Sequence, residues 1–150
     1  MVSADYNSNL LVAYTLQSDG KMTETTRASS QIFDPQGVAL YSNSSGLNVY
    51  TSQATTSPPQ TQGSTFKAGG FEPLKHSPQS SPDENSSNGA AVVASAPNHL
   101  LAQAYQGSGQ IGWDDLTTGG MTYTGDTPLA HKYQPSELTI LGNNLFVAQV

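Results

Sequence analysis

The chain contains no cysteine, which excludes disulfide bonds, thiolate catalysis and cysteine-ligated metal sites. Charged residues make up only 11% of the sequence, the net charge is −6, and the five basic residues are scattered. Nucleic-acid binding requires a clustered positive surface, and recruitment to anionic membranes requires basic segments. The composition therefore argues against a nucleic-acid partner and against a membrane partner.

Long apolar runs and helical patterns are missing as well. No stretch approaches the roughly 20 apolar residues of a membrane span. The amino-terminal residues lack the charged and apolar parts of a secretory signal, and the compartment stays open. No apolar stripe at helical spacing is sustained, whereas Ser, Thr, Asn and Gln together exceed a third of the chain. Abundant Thr, Val, Tyr, Gly and Pro favour strands and turns, so the sequence predicts an all-β fold.

A short pattern recurs three times along the chain. An aromatic residue, a polar residue and a proline precede an apolar run, as Phe33-Asp34-Pro35, Phe71-Glu72-Pro73 and Tyr133-Gln134-Pro135. A second strand-like run follows each of them. Self-similarity at about 40 to 50 residues indicates stacked supersecondary units, and all-strand units of that length are typical of propeller blades. Chance recurrence in a chain that contains many prolines and aromatics is the alternative.

The repeat divides residues 1–150 into one region of units at about 1–27, 28–68, 69–124 and 125–150. Antiparallel strand pairs are predicted at 38–41/47–52, 90–94/100–105 and 138–141/145–150, with a hairpin at 10–16/22–27 around Asp19-Gly20. Residues 55–63 are predicted to form a loop. The Pro- and Ser-rich insertion at 74–89 is predicted to be irregular and mobile, because it offers few ladder donors and little apolar surface.

These units predict antiparallel sheets in about three propeller-like blades. Closed propellers contain four to eight blades, so we expect a fragment of a larger propeller, or copies that associate. The partners predicted at this level are further blades or self-association.

The segments 35–52, 90–105 and 135–148, with Asp19-Gly20-Lys21-Met22-Thr23 as the hairpin after a second strand, resemble the sugar-lactonase type of seven-bladed β-propeller. That superfamily includes 6-phosphogluconolactonases and carboxymuconate cyclases. The resemblance implies a central channel that takes a small sugar, sugar acid or lactone. Such lactonases often place a His before the proline and a basic residue after it, but Asp34 and Gln36, and the corresponding residues of the other two copies, depart from this pattern. No catalytic residue is therefore predicted.

The residues before the three prolines are the first candidate site. If the units are related by rotation, Asp34, Glu72 and Gln134 converge at the mouth of the channel. Two carboxylates and an amide there could coordinate Ca²⁺ or hydrogen-bond sugar hydroxyls. The alternative is that each residue satisfies backbone donors at the start of a strand. No other cofactor is predicted.

The second candidate is Trp113, the only tryptophan, followed by Asp114 and Asp115. A tryptophan beside carboxylates suits stacking on a sugar ring with hydrogen bonds at its edge, whereas a core tryptophan of a small β domain is the alternative. The three histidines lack metal-ligand spacing.

Two classes of function remain open from the sequence. One is a lactonase-like propeller module, enzymatic or only ligand-binding. The other is a non-enzymatic secreted or viral surface protein, which low charge and abundant polar residues also suit.

Overall fold

The computed structural model describes residues 1–44, 46–53, 58–81, 89–117, 120–130 and 134–150. Within these ranges the chain forms antiparallel β-sheets and no α-helix. The predicted all-β class is confirmed. In the same ranges there is no helix with the length and apolar character needed to cross a membrane.

The first sheet contains three strands in the order in which the chain forms them: β1 (Val2–Asp5), β2 (Leu10–Leu16) and β3 (Met22–Ser29). The turn between β2 and β3 uses Gly20 at φ +83°, a backbone angle that residues other than glycine rarely adopt. The Asp19 carboxylate accepts the Lys21 N–H at 3.0 Å. The hairpin predicted at 10–16/22–27 is confirmed.

The second sheet has four strands on its path, with a short fifth beside them: β4 (Pro35–Asn43), β5 (Gly46–Gln53), β6 (Gln60–Lys67), β7 (Gly70–Pro73) and β8 (Gln79–Ser80). The strand pair predicted at 38–41/47–52 is confirmed within β4 and β5. The loop predicted at 55–63 is wrong from residue 60, where β6 begins. Thr61 and Gln62 are buried polar residues of this strand. The Thr61 hydroxyl donates to Gln103 Oε1, and Gln62 Oε1 accepts the Ser30 hydroxyl.

Apart from an isolated bridge at Lys75, residues 74–78 of the insertion at 74–89 form no strand, as predicted, but Leu74 is anchored to its surroundings. Leu74 donates its N–H to the Gly63 carbonyl at 2.9 Å, and its side chain packs against a buried apolar cluster. β8 then pairs with the first residues of β6, so β7 and β8 lie on the same side of β6. The prediction of an irregular segment is therefore wrong for Gln79–Ser80 and for Gly89, which belong to strands, and the predicted mobility stays a prediction. Residues 82–88 lie outside the described part.

The third sheet has four strands and the fourth sheet has two. They are β9 (Gly89–Ser95), β10 (Leu100–Tyr105), β11 (Gln110–Asp115), β12 (Thr122–Pro128), β13 (Pro135–Leu141) and β14 (Asn144–Gln149). The pairs predicted at 90–94/100–105 and 138–141/145–150 are confirmed within β9/β10 and β13/β14.

The first strands of consecutive sheets contact one another. β1 lies against β4, β4 against β9, and β9 against β13. The four sheets are therefore arranged in series by their innermost strands, as the blades of a propeller are arranged around its channel. The unit boundaries drawn from the repeat stay a prediction.

Two apolar clusters hold neighbouring sheets together, one on each face of the third sheet. Strand β10 contributes to both, because successive side chains of a strand point to opposite faces. Leu101 belongs to the cluster shared with the second sheet, and Ala102 and Ala104 belong to the cluster that the fourth sheet covers. The first cluster comprises Ala39, Tyr41, Tyr50, Val92, Leu101, Leu116 and Met121. The third sheet is thus buried on both faces.

Candidate functional site

The three residues predicted at a channel mouth do not occupy equivalent places. Asp34 directly precedes β4, and Gln134 directly precedes β13, so both stand at the start of an innermost strand. Glu72 lies inside β7, the last strand on the path of the second sheet. The prediction of equivalence is wrong for Glu72, because Phe71-Glu72-Pro73 ends a sheet instead of opening one. The residue that precedes β9 lies outside the described ranges.

The surroundings of these residues differ accordingly. Asp34 has φ +49°, and its N–H donates to Asn9 Oδ1 at 2.7 Å, which ties the segment before β4 to the first sheet. The Gln134 carbonyl accepts the Val150 N–H at 3.1 Å, and its side chain is exposed. Glu72 forms an ion pair with Lys67 at 2.5 Å, with both side chains more than half exposed.

The structure offers no metal-binding cluster among the residues it describes. No group of three His, Asp or Glu side chains lies close enough there to share an ion. The Ca²⁺ site considered from the sequence therefore has no support in the described ranges. Asp34 and Gln134 stay candidates for an organic ligand.

Trp113 and Asp114 lie on opposite faces of β11. Trp113 packs against the cluster between the third and fourth sheets, beside Leu138 and Leu145. Asp114 points toward the second sheet and is 1% exposed. The prediction that they share one ligand is wrong, because adjacent residues of a strand alternate in direction.

Asp114 belongs to a buried polar network between the second and third sheets. Gln103 Nε2 donates to Asp114 Oδ2, while Gln103 Oε1 accepts the hydroxyl of Thr61 from the second sheet. The Tyr105 hydroxyl donates to the same Gln103 oxygen at 3.4 Å. Burial raises the pKa of Asp114 to about 6, against the opposing effect of the Gln103 hydrogen bond and with a smaller repulsion from Asp126.

This network holds the second and third sheets together. Burial also raises the pKa of Tyr105 and raises that of Tyr50 to about 12, so both phenols stay neutral at physiological pH. The sequence analysis missed Gln103 and Thr61. The alternation along β10 could have predicted the burial of Gln103, because it places Gln103 on the same face as Leu101 and Tyr105.

A cleft of about 120 Å³ opens between the third and fourth sheets, beside Trp113. Its apolar lining consists of Leu100, Trp113, Ile140 and Leu145, and its polar lining of Ser95, Asn98, Asn143 and Asn144. Asn98 comes from the turn before β10, Asn143 from the turn between β13 and β14, and Asn144 from the first position of β14. The cleft therefore combines an aromatic side chain with three amides, each able to donate and accept hydrogen bonds.

The tryptophan ring in the cleft is held in a defined orientation. Trp113 Nε1 donates to Thr127 Oγ1 at 2.9 Å, across β11 and β12. Asn98 Nδ2 donates to Ser95 Oγ at 3.1 Å, which fixes one amide of the lining. The sequence indicated Trp113 as a binding residue, and the asparagines of the cleft were not among its candidates. Their combination was missed, because it depends on packing between two sheets.

No protein family and no curated protein matches the chain in comparisons of sequence. Three of the solved structures that resemble it illustrate the likeness. A Lactobacillus plantarum protein aligns with TM-score 0.69 and 13% identity, over 93% of this chain and 41% of that one. A luciferin-regenerating enzyme aligns with TM-score 0.60 and 16% identity, over 93% and 44%. KlAtg21, in complex with the coiled coil of AgAtg16, aligns with TM-score 0.57 and 16% identity, over 95% and 44%.

The first two of these structures are β-propellers. At identities this low the likeness shows the fold alone, so the chain has a propeller-like fold. The chain spans less than half the length of each of these three proteins.

Proposed function

We propose that the chain is a lactonase-like β-propeller module that binds a small hydroxyl-rich ligand, namely a sugar, sugar acid or lactone, beside Trp113. The observation that carries this proposal is the convergence of one oriented tryptophan and three asparagines on a single cleft.

The chemistry of the cleft suits such a ligand. The apolar C–H face of a sugar or lactone ring stacks on the indole, and the ring hydroxyls exchange hydrogen bonds with amides at the edge. A volume of about 120 Å³ holds part of a single ring, so we expect weak binding of a monosaccharide-sized molecule.

We assign no catalytic residue to the module. Lactonases of the type that the chain resembles use residues on either side of the proline. In this chain Pro35 is flanked by Asp34 and Gln36, and Pro135 is flanked by Gln134 and Ser136. None of these four residues is histidine, lysine or arginine. The proposed function is therefore binding without hydrolysis.

Saturation-transfer NMR on the intact chain tests the proposal, with glucose, gluconate and glucono-δ-lactone as probes. The wild type is expected to give a saturable signal with at least one probe. Trp113→Leu, which keeps an apolar side chain at the sheet interface, is expected to weaken binding at least tenfold. Phe33→Leu is the matched control, because Phe33 is 72% exposed and lies outside the cleft.

Two outcomes would redirect the assignment. Unchanged binding in Trp113→Leu together with loss in Asp34→Ala or Gln134→Ala would place the ligand at the start of the innermost strands. Absence of binding for every probe would contradict the proposal and favour a non-enzymatic surface or structural protein.

A further inference from the structure

The carboxylate that shares a face of the third sheet with Trp113 is that of Asp115. Side chains two positions apart on a strand point to the same face, and the pairing of β11 with β10 is regular along the whole of β11. Asp114 points toward the second sheet, so Trp113 and Asp115 both point away from it. Asp115 is also the direct cross-strand partner of Leu100, which lines the cleft. Asp115 therefore lies at the edge of the cleft, beside Leu100.

The turn that follows β11 holds the Asp115 carboxylate in place. Asp115 Oδ1 accepts the Thr117 N–H at 2.7 Å, and Asp115 Oδ2 accepts the Thr117 hydroxyl at 3.0 Å. These hydrogen bonds lower the pKa of Asp115, so its carboxyl group is ionised at neutral pH. A negative charge is thus fixed at a defined position at the edge of the cleft.

The cleft lacks a compensating positive charge among the described residues, because those that line it are all uncharged. Three of the five basic residues, Lys21, Arg27 and Lys67, form ion pairs on the first and second sheets. Proteins hold carboxylates and phosphates mainly by charge-assisted hydrogen bonds from Arg or Lys. Asparagine amides form neutral hydrogen bonds, which suit hydroxyl groups. The net charge of −6 further disfavours an anionic ligand.

The distances within the sheet set the size of this effect. Direct cross-strand neighbours have Cβ atoms about 5 Å apart, and residues two positions apart on a strand are separated by about 7 Å. A carboxylate on a ring that stacks on Trp113 therefore lies within about 10 Å of the Asp115 carboxylate. At about 10 Å and an effective dielectric constant of about 40, the repulsion between two unit charges corresponds to roughly fourfold in affinity.

We propose that the cleft selects uncharged rings, namely a neutral sugar or an intact lactone, over sugar acids of the same shape, and that Asp115 sets this preference. The inference rests on the proposed function and narrows its ligand class. Hydrolysis of a lactone creates a carboxylate, so a module with this preference distinguishes a lactone from its hydrolysis product. Asp115 acts through its charge, without contact to the ring, and is a specificity-determining residue.

Glucuronamide and glucuronate are matched probes, because they share one ring and differ by a neutral amide against a carboxylate. In saturation-transfer NMR titrations of the intact chain at neutral pH and low salt, glucuronate is expected to bind about fourfold more weakly than glucuronamide. In Asp115→Asn the two affinities are expected to agree within about twofold. Asp5→Asn is the matched control, because Asp5 also ends a strand and its carboxylate accepts the Ser8 N–H at 3.2 Å. This variant is expected to keep the wild-type preference.

Added salt tests the same charge without a substitution. The Debye length falls from about 30 Å at 0.01 M to about 3 Å at 1 M ionic strength, so the preference of the wild type is expected to disappear at 1 M salt. Equal or tighter binding of glucuronate at low salt would overturn the proposal, and so would a preference that persists in Asp115→Asn or at 1 M salt.

The same titrations separate this inference from the proposed function. Failure of glucose, glucuronamide and glucono-δ-lactone to bind at all contradicts the proposed function, and this inference with it. Binding of glucuronamide and glucuronate with equal affinity, abolished in Trp113→Leu, contradicts the charge preference alone and leaves the cleft as the binding site.

Discussion

At the scale of single residues, the direction of a side chain decides its role. Trp113 and Asp114 are neighbours in sequence, yet one lines a cleft and the other is buried between two sheets. Two residues that are adjacent in sequence therefore do not form one site when they lie on a strand, because their side chains point to opposite faces. The cleft instead joins Trp113 to asparagines that are distant in sequence and adjacent in space.

The buried carboxyl of Asp114 predicts an unusual dependence of stability on pH. Its pKa rises from 3.8 to about 6 on folding, so the protonated form is favoured in the folded state. The contribution of the protonated Asp114 carboxyl to the stability of the fold is fully present below about pH 4 and is lost as pH rises through about 6. The loss amounts to about 3 kcal/mol at neutral pH, at about 1.4 kcal/mol per pKa unit.

Urea unfolding of Asp114→Asn at several pH values checks this prediction. The variant is expected to keep the Gln103 hydrogen bond and to lack the loss of stability between pH 4 and 7. Asp115→Asn is the control, because hydrogen bonds from the Thr117 N–H and hydroxyl lower the pKa of Asp115. Its contribution has the opposite sign and is lost as pH falls. Parallel pH profiles for the wild type and Asp114→Asn would refute the assignment.

At the scale of elements, the sequence predicted the strands whose apolar residues alternate and whose turns use glycine or asparagine. The pairs β2/β3, β4/β5, β9/β10 and β13/β14 follow from those local signals. The first half of β6 did not follow, because its polar residues are buried only in the context of other sheets. Gln62, for example, is 2% exposed and accepts the Ser30 hydroxyl at 2.7 Å and the Gln31 N–H at 2.8 Å. The strands β7 and β8 did not follow either, since they are short and mostly not buried.

Residues 74–81, the described part of the insertion, connect the second and third sheets; we call them the connecting segment. Leu74 packs on the cluster that those sheets share, and Lys75 forms a parallel bridge with Gly120. Gln79, with its amide oriented to donate to the Met121 carbonyl and to accept the Tyr123 N–H, adds a further link. The segment is therefore part of the packed structure.

Truncation of the Leu74 side chain tests whether the connecting segment stabilises the packing of the two sheets. Leu74→Ala is expected to lower the free energy of unfolding by about 1–3 kcal/mol, below the range for fully buried leucines because Leu74 is half-buried. Lys75→Ala, at an exposed neighbouring position, is expected to stay within about 0.5 kcal/mol of the wild type. Equal effects of the two substitutions in denaturant unfolding would show that the segment does not pack.

At the scale of the whole molecule, four sheets in series follow from a repeat that is only partly visible in the sequence. The repeat indicated Pro35 and Pro135 correctly as the starts of innermost strands, and it misassigned Pro73, which ends β7. The residue at which each innermost strand begins determines which side chains lie near the channel. For this reason the cleft and the polar network required the three-dimensional structure, whereas the all-β class did not.

The most direct test of the central proposal uses the only tryptophan of the chain, which lines the cleft. Its fluorescence therefore reports on the proposed site without a label. Titration of the wild type with gluconate, glucono-δ-lactone and glucose is predicted to shift or quench the emission saturably for at least one of them. Asn98→Ala is expected to weaken that response. An emission spectrum that no probe changes, under conditions in which the chain is folded, would contradict the account.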